Sequence, residues 1–354
     1  MFWENKIINK IEQPIVGVTG TNGKSTIALM ISNALQTKPL GNFGNTVLDN
    51  FYKENCYFVI ELSSFQLDYI HNFKPNIGII SNIKTDHLNY HKTFNKYLKA
   101  KTNISKNQTN EDFIIINYDD DNIKNFFKEK KNINSQVIKI SNNRANNADI
   151  YYKNNIIYDD FFTKNKYILK CNNFLKLKHN QLNSTIVFTA LLVLGIKPNK
   201  IIDDLNKFQG LPHRLEFIGA IKKIEFYNDS KATNVAATCS AINSFKKVIL
   251  IIGGSDKGES FEDLNNYSNI IIDAYLVGDN SFKIKNFLNK RIVNNICKNL
   301  KEAVEKSYKR SLESGKYYPI LFSPASASFD NYKNYEQRGN DFKKIFNQIK
   351  KNVA

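Results

Sequence analysis

The sequence predicts an α/β fold in two domains, residues 1–210 and 211–354. Three observations carry this. At 354 residues the chain is longer than one ordinary hydrophobic core accommodates. Short apolar, β-branched runs alternate with helical stretches in both halves, the signature of a parallel sheet covered by helices. Only residues 135–178 depart from that rhythm, with short alternating pieces broken by Asn-rich turns.

The first element is a buried strand at residues 15–18, bounded by Pro14. A glycine-rich turn follows, Gly17-Val-Thr-Gly-Thr-Asn-Gly-Lys-Ser-Thr26, and residues 25–35 have the apolar spacing of a mostly buried helix. Strand, glycine loop and helix in that order aim backbone N–H groups and a helix N-terminus at phosphate oxygens, so this is a P-loop. It spans Gly20, Thr21, Asn22, Gly23, Lys24, Ser25 and Thr26, with Lys24 expected on the β- and γ-phosphates and Ser25 on Mg²⁺. It departs from G-x-x-x-x-G-K-[ST] in having Val18 where the first glycine belongs. Further strands are expected at 57–60, running into Glu61; at 77–81, running toward Asp86 and His87; and at 113–116. The pieces 150–152, 156–158 and 167–169 predict a small antiparallel sheet, and 184–194 a buried helix.

A second α/β set begins after Gly210-Leu211-Pro212, with strands expected at 224–227, 248–252, 274–277 and 319–322. Its order of strands and helices is Rossmann-like. Ligands in open α/β sheets gather beyond the carboxyl ends of the strands, and polar residues stand at those ends in both halves. The sequence therefore predicts one site drawing on both.

Composition narrows the function. With 42% apolar and 12% aromatic residues the chain is folded. No run of 18 apolar residues exists, and Met1 to Lys10 lack a signal-peptide core, so no membrane span is expected. Cys56, Cys171, Cys239 and Cys297 are scattered, which suits a reducing cytoplasm and neither a disulfide framework nor a zinc site. The net charge of +17 comes from lysine spread along the whole chain, not from a patch or arm. Nucleic acid is not the expected partner; anionic small molecules are.

Seven runs then occur in order: Gly-Thr-Asn-Gly-Lys-Ser-Thr (20–26), Glu-Leu-Ser-Ser-Phe-Gln-Leu (61–67), Asp-His-Leu (86–88), His-Asn-Gln-Leu-Asn (179–183), Leu-Pro-His-Arg-Leu-Glu (211–216), Asn-Asp-Ser-Lys-Ala-Thr-Asn (228–234) and Ser-Pro-Ala-Ser-Ala-Ser-Phe-Asp (323–330). Together they resemble the Mur ligases of peptidoglycan synthesis, over nearly the whole chain. The 63–66, 229–234 and 323–328 runs are most similar to the branch that adds D-glutamate to UDP-N-acetylmuramoyl-L-alanine. The resemblance implies ATP-driven amide bond formation through an acyl phosphate, in a cytoplasmic monomer.

The same resemblance assigns roles. Glu61, at a strand end, goes to Mg²⁺, and His87 to a second Mg²⁺. His91, four residues on, is expected to be structural, since Leu88 excludes H-E-x-x-H. Lys101, in a helical stretch at 97–105, resembles a lysine that these ligases carbamylate. Asn42, Ser63 and Gln66 face the muramoyl-alanine part. Asn180 and Asn183 are adenine-side and phosphate-side contacts, or equally helix caps. Arg214, Asp229 and Lys231 meet ATP, although Asp229 with Ser230 also reads as a plain N-cap. Thr233, Lys257, Ser328, Phe329 and Tyr335 form a D-glutamate pocket. Ser326 stands where the motif often has cysteine.

Family members carry a front domain of about a hundred residues for the uridine diphosphate, an ordinary domain size. About sixteen residues precede the loop here. The expectation is a chain without that domain, whether through truncation, a late start or supply by another polypeptide, and with a weak hold on the nucleotide-sugar. Two other readings stay open: a related ligase such as a folylpolyglutamate synthase, which lacks the front domain, and a non-catalytic nucleotide-binding remnant.

Overall fold

The structure, a computed structural model, describes residues 13–48, 57–129, 133–142, 147–170, 172, 174–175, 177–256 and 258–353. Met1 to Lys10, Cys56, Cys171 and Lys257 lie outside the described residues. The chain divides into two compact units, residues 1–209 and 210–354.

The strands of the first unit are β1 (Ile15–Thr19), β2 (Leu40–Gly41), β3 (Phe58–Glu61), β4 (Ile77–Ile80), β5 (Phe113–Asn117), β6 (Gln136–Ser141), β7 (Ile150–Lys153), β8 (Ile156–Asp159) and β9 (Asn165–Ile168). They form one sheet in the order β2-β3-β1-β4-β5-β6-β7-β8-β9. Pairing is parallel from β2 through β7 and antiparallel for β7–β8–β9. The expected small antiparallel sheet is therefore present, but it continues the parallel sheet instead of standing apart. Residues 136–141, assigned with it on sequence, pair parallel to β5.

The central strands are apolar on both faces because helices cover both. Val16, Val18, Val59, Ile77, Ile79 and Ile115 pack with Ile27 and Ile31 of the Lys24–Ala34 helix and Ile186 of the Lys178–Val193 helix. The alternate residues Ile15, Phe58, Ile60, Ile80, Ile114 and Ile116 pack on the other face with Leu67, Tyr97 and Ile123. Such period-two division of a continuous apolar run is what a doubly covered parallel sheet requires. The Lys178–Val193 helix starts six residues earlier than expected, because its polar first turn broke the apolar pattern that marked 184–194.

In the second unit the order is β10-β11-β15-β12-β13-β14, from β10 (Glu216–Ile221), β11 (Ile224–Asn228), β12 (Val248–Ile252), β13 (Ile271–Leu276), β14 (Val293–Ile296) and β15 (Ile320–Phe322). All pairs are parallel except β10–β11. β10 and β14 were not expected. Both are edges with half-exposed side chains, so neither carries a continuous apolar run. No helix among the described residues is long and apolar enough to cross a membrane.

Candidate functional site

In the first unit the residues of interest gather where β1, β3 and β4 end. Gly20 has φ +153, and a Cβ there would lie 2.0 Å from Ser81 Oγ. Gly23 has φ +86 and is the residue before the first helical turn; Asn183 Oδ1 faces it. Only glycine meets both demands at position 20, close approach and a rarely allowed backbone. Gly20→Ala is expected to destabilise the chain by about 1–3 kcal/mol. Equilibrium urea unfolding checks this.

Lys24 folds back over its own loop, donating to Gly20 O and Thr21 O, both at 2.9 Å. Lys101, from the Phe94–Thr102 helix, is 2% exposed and donates to the same Gly20 carbonyl at 2.8 Å. Its Nζ also lies 5.0 Å from the centre of the Tyr97 ring. Among the described residues it has no carboxylate at ion-pair distance. Burial, reinforced by the Lys24 charge, holds its amine down to about 7. Glu61 is 2% exposed; Asn42 Nδ2 donates to its Oε1 at 3.0 Å, and its Oε2 has no hydrogen-bond partner among the described residues. A buried carboxylate oxygen left bare costs several kcal/mol unless something positive meets it. Oxygen donors of this kind suit a hard cation such as Mg²⁺, which keeps waters and phosphate oxygens for its other positions. Among the described residues no three His, Cys, Asp or Glu side chains form a group that could hold a metal.

Several expected residues are otherwise engaged. Ser63 and Gln66 form a capping box on the Ser64–Asp68 helix: Ser63 Oγ accepts from Gln66 N–H, and Gln66 Oε1 accepts from Ser63 N–H. His87 and His91 do not share a helix face. His87 has φ +51, is exposed, and precedes the four-residue helix Leu88–His91, while His91 is buried with Nε2 3.0 Å from Ser64 Oγ. That matches the structural role expected of His91. Asn180 and Asn183 are not N-caps; both lie within the Lys178–Val193 helix, and Asn180 Nδ2 donates to Phe174 O.

In the second unit Asp229 is not an N-cap either, since Asn234 caps the Val235–Ile242 helix. Asp229 is buried and accepts from Leu215 N–H at 3.0 Å and from Ser323 Oγ at 2.7 Å. Burial raises its carboxyl to about 7. It fixes the loop that carries the exposed Arg214. Lys231 Nζ sits 3.9 Å from the centre of the Tyr335 ring, which brings together a residue expected at ATP and one expected at D-glutamate. Ser328 is buried while Phe329 is 70% exposed, and Thr233 is half-buried. A cavity of about 540 Å³ in this unit is lined by Gly254, Gly278, Phe282, Lys298, Tyr332 and Arg338 among others, and by none of Thr233, Ser328, Phe329 or Tyr335.

Sequence reasoning missed Arg338, whose buried guanidinium donates to Ser230 Oγ and to the carbonyls of Ser230, Ser326 and Ala327. Its spacing from Phe342, Ile345 and Ile349 in the Tyr335–Val353 helix places it on the apolar face, and that phase was the available signal. Tyr97, which shares a hydrogen bond with Thr21 Oγ1, and Asn82 were missed as well.

The family described as Mur ligase middle domain matches residues 18–191. The chain is 38% identical over 346 residues, 95% of it and 75% of the relative, to the UDP-N-acetylmuramoylalanine--D-glutamate ligase of Clostridioides difficile. It is 35% identical over 344 residues, 95% of it and 76% of the relative, to that of Rickettsia bellii. Among solved structures it is similar to a MurF ligase from Thermotoga maritima in complex with ADP, with a TM-score of 0.70 at 16% identity, covering 99% of this chain and 83% of that one. A MurF from Acinetobacter baumannii gives a TM-score of 0.67 at 18% identity over 95% and 78%. These two likenesses concern the fold.

Proposed function

The chain belongs to the Mur ligase family, and on that premise we propose the reaction it performs and the residues that perform it. It is an ATP-dependent ligase of peptidoglycan precursor synthesis that adds D-glutamate to UDP-N-acetylmuramoyl-L-alanine. A carboxylate oxygen of the acceptor attacks the γ-phosphorus of ATP; the new P–O bond forms as the bond to the β-phosphate bridge breaks, and ADP leaves. The neutral amine of D-glutamate then attacks the acyl carbon and loses a proton, and the C–O bond to phosphate breaks. The supporting observation is the convergence of Lys24 and Lys101 on one loop carbonyl, with the bare Glu61 oxygen within electrostatic reach of Lys101.

Two buried or half-buried amines around one glycine loop make a site short of negative charge, which the triphosphate supplies. Lys24 would exchange loop carbonyls for phosphate oxygens and hold the transferring group in line. Glu61 Oε2 and Ser25 Oγ would hold Mg²⁺, with His87 at a second ion, and the metal would neutralise charge on the phosphates. Asn42 keeps Glu61 aimed. Asn42, Ser63 and Gln66 are assigned to the muramoyl-alanine part, Asn180, Asn183, Arg214, Asp229 and Lys231 to the nucleotide, and Thr233, Lys257, Ser328, Phe329 and Tyr335 to D-glutamate. A cytoplasmic monomer completes the proposal; scattered cysteines suit that compartment.

Phosphate release should require ATP, Mg²⁺, the nucleotide-sugar and D-glutamate together. Equal release with L-glutamate, or with a folate acceptor in place of the nucleotide-sugar, would sink this substrate assignment. Glu61→Gln keeps the Asn42 contact at Oε1 and replaces the bare oxygen with an amide. It is expected to lower kcat by about a hundredfold or more, as lost charge neutralisation of a few kcal/mol would. A magnesium titration should show a raised requirement; an unchanged curve would remove Glu61 from the metal set.

A further inference from the structure

We infer that Asn82 is a positioning residue for the phosphate-binding loop, holding it in its receiving shape before nucleotide arrives; this rests on the nucleotide reading of that loop. Asn82 stands just beyond the carboxyl end of β4, which pairs directly with β1. Its side-chain amide treats the Asn22 peptide as an adjoining strand would. Asn22 N–H donates to Asn82 Oδ1 at 2.9 Å, and Asn82 Nδ2 donates to Asn22 O at 2.8 Å. The Asn82 backbone carbonyl accepts from Thr21 N–H at 2.8 Å. Ser81 Oγ adds a donor to Asn22 O at 2.7 Å. Two consecutive residues at the middle of the loop are thus fixed from one side by the two residues just beyond β4.

The consequence is directional. The amides of Thr21 and Asn22 are committed to Asn82, so they do not meet phosphate. Those from Gly23 to Thr26 belong to the helix start, where no intrahelical acceptor exists, and they remain for phosphate oxygens. A loop already in this shape avoids ordering its backbone on binding, and that saving appears as affinity. The job needs a donor and an acceptor in one plane on a short stem, which an asparagine amide provides. Aspartate has the same size but would set a second acceptor against Asn22 O. Asn82 is half-exposed, so its substitution leaves the sheet core intact.

The test compares the full chain with Asn82→Asp and Asn82→Ala. The magnesium complex of a non-hydrolysable ATP analogue is titrated into each, amide hydrogen exchange over residues 20–26 is followed without nucleotide, and thermal midpoints are recorded. Each variant should bind the analogue about tenfold more weakly, the worth of one or two net hydrogen bonds. Exchange at Thr21 and Asn22 should quicken, and KM for ATP should rise while KM for D-glutamate stays put. Unchanged analogue affinity in both variants, with or without a lower midpoint, assigns Asn82 a merely structural role and overturns the inference. A parallel rise in both KM values overturns it too. Failure of the unaltered chain to bind the analogue would instead bring down the nucleotide reading, and this inference with it.

Discussion

Lys24→Ala is expected to reduce ATP-dependent phosphate release by about a thousandfold or more, the scale seen when a positioned cation is removed from phosphoryl transfer, with little change in the unfolding midpoint. The loop does not need this amine to keep its shape. Gly20 O retains Lys101 as a donor, Thr21 keeps its contacts to Tyr97 and Lys84, and Asn22 stays paired to Asn82. What would disappear is the charge proposed for the transferring phosphoryl group. A second effect follows. Lys24 is one of the two causes that hold the Lys101 amine down, so its removal should let Lys101 keep its proton at higher pH. ADP formation close to that of the unaltered chain would contradict the loop assignment.

The sequence made the glycine-rich loop and the inner strands legible for a physical reason. β1, β3, β4, β5, β12 and β15 are covered on both faces, so their apolar runs are continuous. Edge strands β10 and β14 need only a half-apolar face and left no such mark. The pieces between residues 150 and 168 were readable as antiparallel, yet nothing local says that β6 joins them to the main sheet. Glu61 was singled out by the resemblance, with its place at a strand end as the weaker sign. Asn82 lies just past the end of β4, and the same positional sign was available for it. Side-chain partners were the least legible. Ser63 and Gln66 stand three apart, the capping-box spacing, and a motif match alone hid that reading. His87 and His91 have helix-face spacing, but the left-handed backbone of His87 leaves it outside the helix that begins at Leu88. Arg338 carried a signal only in its phase with the apolar face of a long helix.

Lys101→Ala should lose nearly all turnover, and added formate or acetate should restore part of it. A buried amine with no ion-pair partner among the described residues is poorly suited to remain a cation, and burial with the Lys24 charge holds it down to about 7, so the neutral form is within reach near neutral pH. Only the neutral amine adds CO₂, forming the N–C bond and releasing one proton to give a carbamate anion. Carbamylation should therefore rise with pH through about 7 and with bicarbonate, and activity should rise with it. A carbamate oxygen would turn the pocket beside Gly20 and Tyr97 from cationic to anionic, which suits a metal that Glu61 alone under-neutralises. Truncation to alanine opens room at that spot, and a small carboxylic acid can place an oxygen pair there. Carbon-13 NMR of the chain under labelled CO₂ should show one carbamate signal that Lys101→Ala lacks. Lys101→Met separates charge from bulk: it fills the room and should resist rescue by acetate. Full activity without CO₂, or a folded Lys101→Ala chain that no short acid revives, would leave Lys101 as a mere donor to the loop carbonyl.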